Sequence, residues 1–150
     1  RGQRFDVTLG DTGGAIELID ESYNATPTSM EAALAVLAAT PVTSKGRRVA
    51  FLGDMLELGP QETAFHAGLA QLDVMGEIHC IHTCGPLMAA LHEALPQHQQ
   101  GQHFDTAKAM SERVNRLLDS GDVAMVKGSL GSKVGQVVTA IKALGETTEK

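Results

Sequence analysis

Three short segments gather the side chains able to do chemistry. In the first, Asp20-Glu21-Ser22-Tyr23-Asn24-Ala25-Thr26-Pro27 packs two carboxylates, a hydroxyl, a phenol and an amide into one stretch. A carboxylate can accept both hydroxyls of a ribose, and an asparagine amide donates and accepts at once, as an adenine edge requires. The same residues also suit local turn bonds, with Thr28 capping a following helix. The second segment, Gly53-Asp54-Met55-Leu56-Glu57-Leu58-Gly59, offers Asp54 and Glu57 between two glycines. Paired acids could hold magnesium through water or orient an ammonium group; alternatively, Leu56 and Leu58 pin the loop to the core while both acids face solvent. His66 follows Glu62 by one helical turn and is expected to be a satisfied structural histidine, with a reach back over this loop as the alternative. The third segment, Lys127-Gly128-Ser129-Leu130-Gly131-Ser132-Lys133, sets glycines, hydroxyls and lysine before a helix. Backbone N–H groups there attract an anion, although tight packing explains the glycines equally well.

Several chemistries are missing. No G-x4-G-K-[ST] loop, G-x-S-x-G elbow, H-E-x-x-H pair or G-x-G-x-x-G fingerprint occurs, so the chain has no recognisable grip on ATP phosphates of its own and self-sufficient catalysis is not expected. His79, His82, His92, His98 and His103 lack ligand spacing and are expected at the surface or the sheet edge. Cys80 and Cys84 fit neither a disulfide framework nor a zinc pair, and are taken as reduced thiols near a strand end.

These segments need a scaffold. Alternation over 5–9 and again over 15–19 predicts a hairpin across Gly10-Asp11-Thr12-Gly13-Gly14. Met30, Ala33, Leu34 and Leu37 lie at helical spacing, and Thr40-Pro41 closes that helix. Strands are expected at 48–52, 78–81, around Phe104 and at 123–126, and helices at 62–72, 86–95, 107–118 and 134–144; residues 146–150 are polar enough to fray. Strands alternating with helices imply a doubly wound α/β fold, with a mainly parallel sheet, helices on both faces and an N-terminal hairpin. Ligands in such sheets sit at the carboxyl ends of the strands, which here are the three segments above and Cys84-Gly85.

The 150 residues suit one domain, and 43% apolar content suffices for a core. A net charge of -6 argues against nucleic acid or an anionic membrane surface as partner. No run approaches the roughly 20 apolar residues of a membrane span, and the opening residues lack a signal-peptide core, so a cytoplasmic location is expected. The start at Arg1 without Met suggests a piece of something longer.

In order and spacing these segments resemble the Mur ligases over nearly the whole chain. The pattern D-[DE]-S-Y-N-A-x-P-x-S-M runs from Asp20 to Met30, G-D-M-x-E-L-G from Gly53 to Gly59, a downstream histidine and glycine are His66 and Gly68, and K-G-S is Lys127-Gly128-Ser129. Within the family these segments resemble most the members that add D-alanyl-D-alanine to UDP-MurNAc-tripeptide. The resemblance implies a Rossmann-like carboxy-terminal lid, with a UDP-sugar domain and a central P-loop domain before it. It also implies ATP and Mg2+ as cofactors, held mainly by that central domain. On this resemblance Arg4 approaches the nucleotide, Asp20 the ribose and Asn24 the adenine, while Lys127 and Ser129 face the dipeptide. Leu130 departs from the family's usual arginine after K-G-S, removing a natural partner for the dipeptide carboxylate. Two alternatives stay open: a related amide ligase, such as one acting on folate polyglutamate, and a non-catalytic flavodoxin-like module binding a nucleotide or a protein.

Overall fold

The computed structural model describes residues 2–10 and 13–150. Strands β1 (Gln3–Leu9) and β2 (Ala15–Glu21) pair antiparallel as the expected hairpin; Asp11 and Thr12 of its turn lie outside the described residues. There follow α1 (Pro27–Ala39), β3 (Arg48–Gly53), α2 (Glu62–Gly68), β4 (Cys80–Cys84), α3 (Ala89–Ala94), β5 (Gln100–Phe104), α4 (Ala107–Ser111), α5 (Val114–Leu117), β6 (Val123–Lys127), α6 (Gly135–Lys142) and β7 (Gly145–Glu149). The seven-stranded sheet has the order β5-β4-β3-β6-β2-β1-β7. From β5 to β2 every pairing is parallel, and β1 and β7 add antiparallel pairs at one side.

Strand alternation sorts the apolar side chains onto two faces. Val49 and Phe51 of β3 join Ala124 and Val126 of β6 beneath α4, α5 and α6, around Met110, Val114 and Val137. Ala50, Leu52 and Met125 point the other way, into a second core with Met30, Leu34 and Leu37 of α1 and Met88 and Leu91 around α3. The expected doubly wound α/β class is therefore the observed one.

Element boundaries moved for local reasons. Helix α1 is capped by Thr26 rather than Thr28: Thr26 Oγ1 accepts from the Ser29 N–H at 3.1 Å, Ser29 Oγ accepts from the Thr26 N–H at 2.9 Å, and Pro27 presets the first turn. Its end at Thr40, extended at ψ 125, follows from Pro41, which disfavours helical backbone in the residue before it. The helix expected over 62–72 tightens into a 3-10 turn after Gly68, and that over 107–118 breaks into α4 and α5.

Strand β4 lies two residues later than expected, which buries His82 and Thr83. Both find partners on β5: His82 Nδ1 accepts from the Gln102 N–H at 3.0 Å, and Thr83 Oγ1 lies 2.7 Å from His103 Nδ1. His82 is thus an interior residue tilted against Phe51, with ring centroids 5.1 Å apart, rather than a surface histidine. The tail corrects a second expectation. Instead of fraying, 145–149 form β7 against β1, with Thr147 Oγ1 donating to the Lys142 carbonyl and Lys150 Nζ 3.5 Å from Glu17. Its polar composition suits an outer strand that must stay in water.

Burial, reinforced by the Arg47 charge, lowers the pKa of His82 to about 4. An unfolded histidine takes up its proton near 6.5, so the folded state is disfavoured as pH falls from about 6.5 to 4, by up to about 3 kcal/mol. Thermal midpoints of the native chain measured across that interval should fall with acid. His82→Asn should start lower at pH 7 but fall less steeply, and parallel profiles would exclude His82 as the cause.

Candidate functional site

The carboxyl ends of β2, β3 and β6 lie side by side, so the three segments singled out in the sequence meet along one edge of the sheet. Lys127, opposite Glu21 in the β2–β6 ladder and Leu52 in the β3–β6 ladder, is 3% exposed. Its ammonium donates to the Asn24 carbonyl at 2.9 Å and stands 3.9 Å from Glu21 Oε1. Burial lowers the Lys127 pKa, and the Glu21 carboxylate opposes that shift. The bond ties the loop after β2 to the end of β6.

Beneath that loop, Asp20 is buried and turned onto its own chain. Its Oδ1 accepts from the Ser22 N–H at 3.0 Å and Ser22 Oγ at 2.6 Å, while the Tyr23 hydroxyl lies 3.3 Å from Oδ2 and donates to Gln3 Oε1 at 2.9 Å. Desolvation and the neighbouring Asp20 carboxylate raise the Tyr23 pKa. Asn24 differs. Its backbone carbonyl is engaged, but among the described residues its exposed side-chain amide has no hydrogen-bond partner. Asn24, Glu21, Tyr23 and Lys127 line a cleft of about 570 Å3 walled by Ala33 and Val36 of α1.

Ser129 fastens the third segment to the second. Its hydroxyl accepts from the Leu56 N–H at 2.9 Å, and its N–H donates to the Asp54 carbonyl at 3.0 Å. The approach is close enough to require glycine: a Cβ on Gly128 would stand 2.6 Å from Ser132 Oγ and 3.1 Å from Gly53 Cα. Here packing is the reason for the glycines. Arg4 stands apart from these groups, lining neither cleft described here; its guanidinium donates to Glu17 at 2.7 Å and lies 3.5 Å from Thr40 Oγ1.

The second segment meets its expectations only in part: Glu57 faces solvent, but Asp54 does not. Asp54 is buried, and its oxygens accept from the Met88 N–H at 2.8 Å and the Leu87 N–H at 3.3 Å, fixing the turn into α3. A Cβ at Gly85, whose φ is +103, would collide with that carboxylate. Glu57 is exposed on left-handed backbone at φ 63. Leu58 packs against the core as expected, but Met55 takes the place of Leu56 in pinning the loop, with its N–H donating to His66 Nε2 at 2.9 Å; Leu56 is 38% exposed. His66 is the satisfied histidine expected and also reaches back over this loop, as the alternative had it, with its other ring nitrogen 2.6 Å from the Glu62 carbonyl. Among the described residues no three His, Cys, Asp or Glu side chains are grouped to hold a metal ion.

A second cleft, of about 470 Å3, opens on the far side of the β3 loop between Gly85, Thr106 and Lys133. Three of the loops that wall it hold Asp54 and Leu56, Cys84-Gly85 and residues 131–133, all expected at the carboxyl ends of strands; the fourth, residues 105–108, carried no motif, so the cleft they form together was not expected. No helix of the described residues is long and apolar enough to cross a membrane.

Comparison with known proteins sets these features in a family. Residues 3–130 match the model described as Mur ligase, glutamate ligase domain. The UDP-N-acetylmuramoyl-tripeptide–D-alanyl-D-alanine ligase of Bacillus subtilis (strain 168) is 31% identical over 140 residues, covering 91% of this chain. That of Escherichia coli (strain K12) is 34% identical over 146 residues, covering 96%. The chain spans 30% of the length of each. Among solved structures, MurF from Acinetobacter baumannii superposes with a TM-score of 0.72 at 23% identity, over 90% of this chain and 29% of that one. MurF ligase from Thermotoga maritima in complex with ADP gives 0.69 at 19% identity, over 86% and 28%. These two likenesses concern the fold. With the family model covering most of its length, the chain belongs to the Mur ligase family.

Proposed function

We infer that residues 1–150 are the carboxy-terminal lid domain of an ATP-dependent ligase that joins D-alanyl-D-alanine to UDP-MurNAc-tripeptide in the cytoplasm. The rest of a longer protein would supply the UDP-sugar and central ATPase domains, consistent with the 30% of each relative's length that the chain spans. In this reading ATP and magnesium, held mainly by the central domain, convert the tripeptide's terminal carboxylate into an acyl phosphate. The dipeptide amine attacks its carbon, and phosphate leaves. The lid contributes positioning and the exclusion of water. No group on this chain activates a phosphate.

One observation carries the nucleotide assignment: the unspent Asn24 amide at the mouth of the cleft formed by the β2 loop. Were Asn24 only a turn residue, its side chain would be occupied by neighbouring backbone. The site is divided accordingly, with Arg4, Asp20 and Asn24 on the nucleotide side. Asp20 shapes the turn that presents Asn24, its Oδ1 accepting from Ser22 and its Oδ2 lying 3.3 Å from the Tyr23 hydroxyl. Arg4 reaches the nucleotide by leaving Glu17 when the preceding domain docks. Lys127 and Ser129 are assigned to the dipeptide, Lys127 from the wall it shares with the Asn24 cleft and Ser129 from the loop it fastens to Leu56.

Two outcomes test this reading. The purified 150-residue chain should neither hydrolyse ATP nor form the amide bond, whereas the complete protein should do both; ligation by the chain alone would refute the division of labour. In the complete enzyme Asn24→Asp should weaken ATP binding by about 10-fold or more, because the NH2 donor is lost and a negative charge is set near a polyanion. A lowered thermal midpoint with unchanged ATP affinity would instead make Asn24 a turn residue.

A further inference from the structure

The β1–β7 side of the sheet gathers four charged side chains that line neither cleft. Asp6 stands directly opposite Glu17 in the antiparallel β1–β2 ladder, so two carboxylates face one another across the strands. Like charges so placed destabilise a sheet unless a cation lies between them. Here there are two. Arg4 Nη1 is 2.7 Å from Glu17 Oε2, and Lys150 Nζ is 3.5 Å from that same oxygen and 3.7 Å from Asp6 Oδ1.

The backbone sets this arrangement. Thr148 pairs with Asp6 in the β1–β7 ladder, and the Lys150 N–H donates to the Arg4 carbonyl at 2.9 Å, which carries the pairing past β7 and sets Lys150 beside Arg4. Residues two apart along a strand share a face, so all four charges lie on one side of the sheet. Glu17 is the most shielded of them, with 18% of its side chain exposed. A shielded carboxylate gives up a sole counter-ion only at a cost. With a second cation on the same oxygen the first is held less tightly, because the two cations repel and the carboxylate keeps a partner when one leaves.

We propose that Lys150 is a positioning residue that loosens Arg4 from Glu17 and takes over the carboxylate when Arg4 departs. This rests on the reading above, in which Arg4 leaves Glu17 for the nucleotide. With Arg4 gone, Lys150 still stands within 3.7 Å of both acids and keeps the facing Asp6–Glu17 pair compensated. Without Lys150, Arg4 is the single cation at Glu17 among the described residues, and its release leaves two carboxylates opposed across the ladder. Strand β7 thus does more than cover the backbone of β1: it delivers the substitute cation to the face from which Arg4 acts.

The hold on Arg4 can be measured without catalysis. Denaturant unfolding of this chain, of Arg4→Gln, of Glu17→Gln and of the double variant gives the Arg4–Glu17 coupling. At low ionic strength the same cycle with Lys150→Met added should show that coupling raised by about 3-fold in the unfolding equilibrium constant, the scale of a partly exposed ion pair. Equal or lower coupling overturns the proposal. In the complete enzyme Lys150→Met should weaken ATP binding by a similar factor of about 3, while Lys150→Arg should keep the native affinity. Adding Glu17→Gln to Lys150→Met should restore ATP binding, which a mere loosening of β7 would not allow. A loss that Glu17→Gln fails to restore overturns the proposal, as does an affinity unchanged by Lys150→Met where Arg4→Ala lowers it. An affinity unchanged by Arg4→Ala overturns the nucleotide role of Arg4 instead, and the coupling cycle then decides Lys150 by itself.

Discussion

Everything at the carboxyl edge depends on where β6 is inserted. All five of its residues are buried, and it enters the sheet between β2 and β3, strands separated from it by the whole length of the intervening chain. That insertion buries a lysine at the strand's end. An ammonium withdrawn from water is costly unless it is paired or hydrogen-bonded, and Lys127 meets the requirement by donating to the Asn24 carbonyl near Glu21. The loop after β2 is thereby held by a residue 103 positions further along the chain. Because β6 also contacts β3, the Gly53–Gly128 approach and the Ser129 bonds draw the second loop into the same assembly.

The helices explain why clefts open there at all. Those following β2, β3 and β4 cover one face and those following β5 and β6 the other. Neighbouring strands such as β6 and β2, or β4 and β5, therefore send their chains in opposite directions, leaving a gap above their ends. One gap holds Asn24 and Glu21; the other holds Lys133 and Asp105. The opposite end of the sheet is closed by structural polar groups: Asp122 accepts from the Arg47 backbone and guanidinium, and the Gln99 amide donates to the Met75 and Ile78 carbonyls. Hydrogen bonding to Asp122 raises the Arg47 pKa. These groups are fully used by the fold, in contrast to the free Asn24 amide.

Local signals were legible where they depend on neighbours in sequence. The hairpin, α1 and the glycine-bounded loops follow from alternation, helical spacing and Gly-Pro punctuation. Polar residues were harder to place, because their burial depends on partners distant in the chain. His82 and Thr83 look like solvent-facing positions until β5 supplies Gln102 and His103, and Asp54 looks available until Leu87 and Met88 occupy it. The terminal strand β7 has no apolar signature, since it only needs β1's backbone. Motif order placed Asn24 and Lys127 in separate loops, but their sharing one cleft is a consequence of β6 insertion, which no local pattern encodes. Lys133 was legible as the lysine that closes the third segment, but its left-handed backbone was not, because no local pattern marks that conformation at a non-glycine residue.

The central claim is that the Lys127–Asn24 bond preorganises the nucleotide-side loop, and amide hydrogen exchange of Lys127→Met tests it most directly. Met preserves length and burial while removing the donor. Amides of residues 22–26 should exchange about 10-fold faster, equivalent to losing about 1.4 kcal/mol of local stability, with the central amides of β3 and β6 little changed. Equal protection of residues 22–26 in the variant and the native chain would show that the loop holds its shape without Lys127, and would contradict the account.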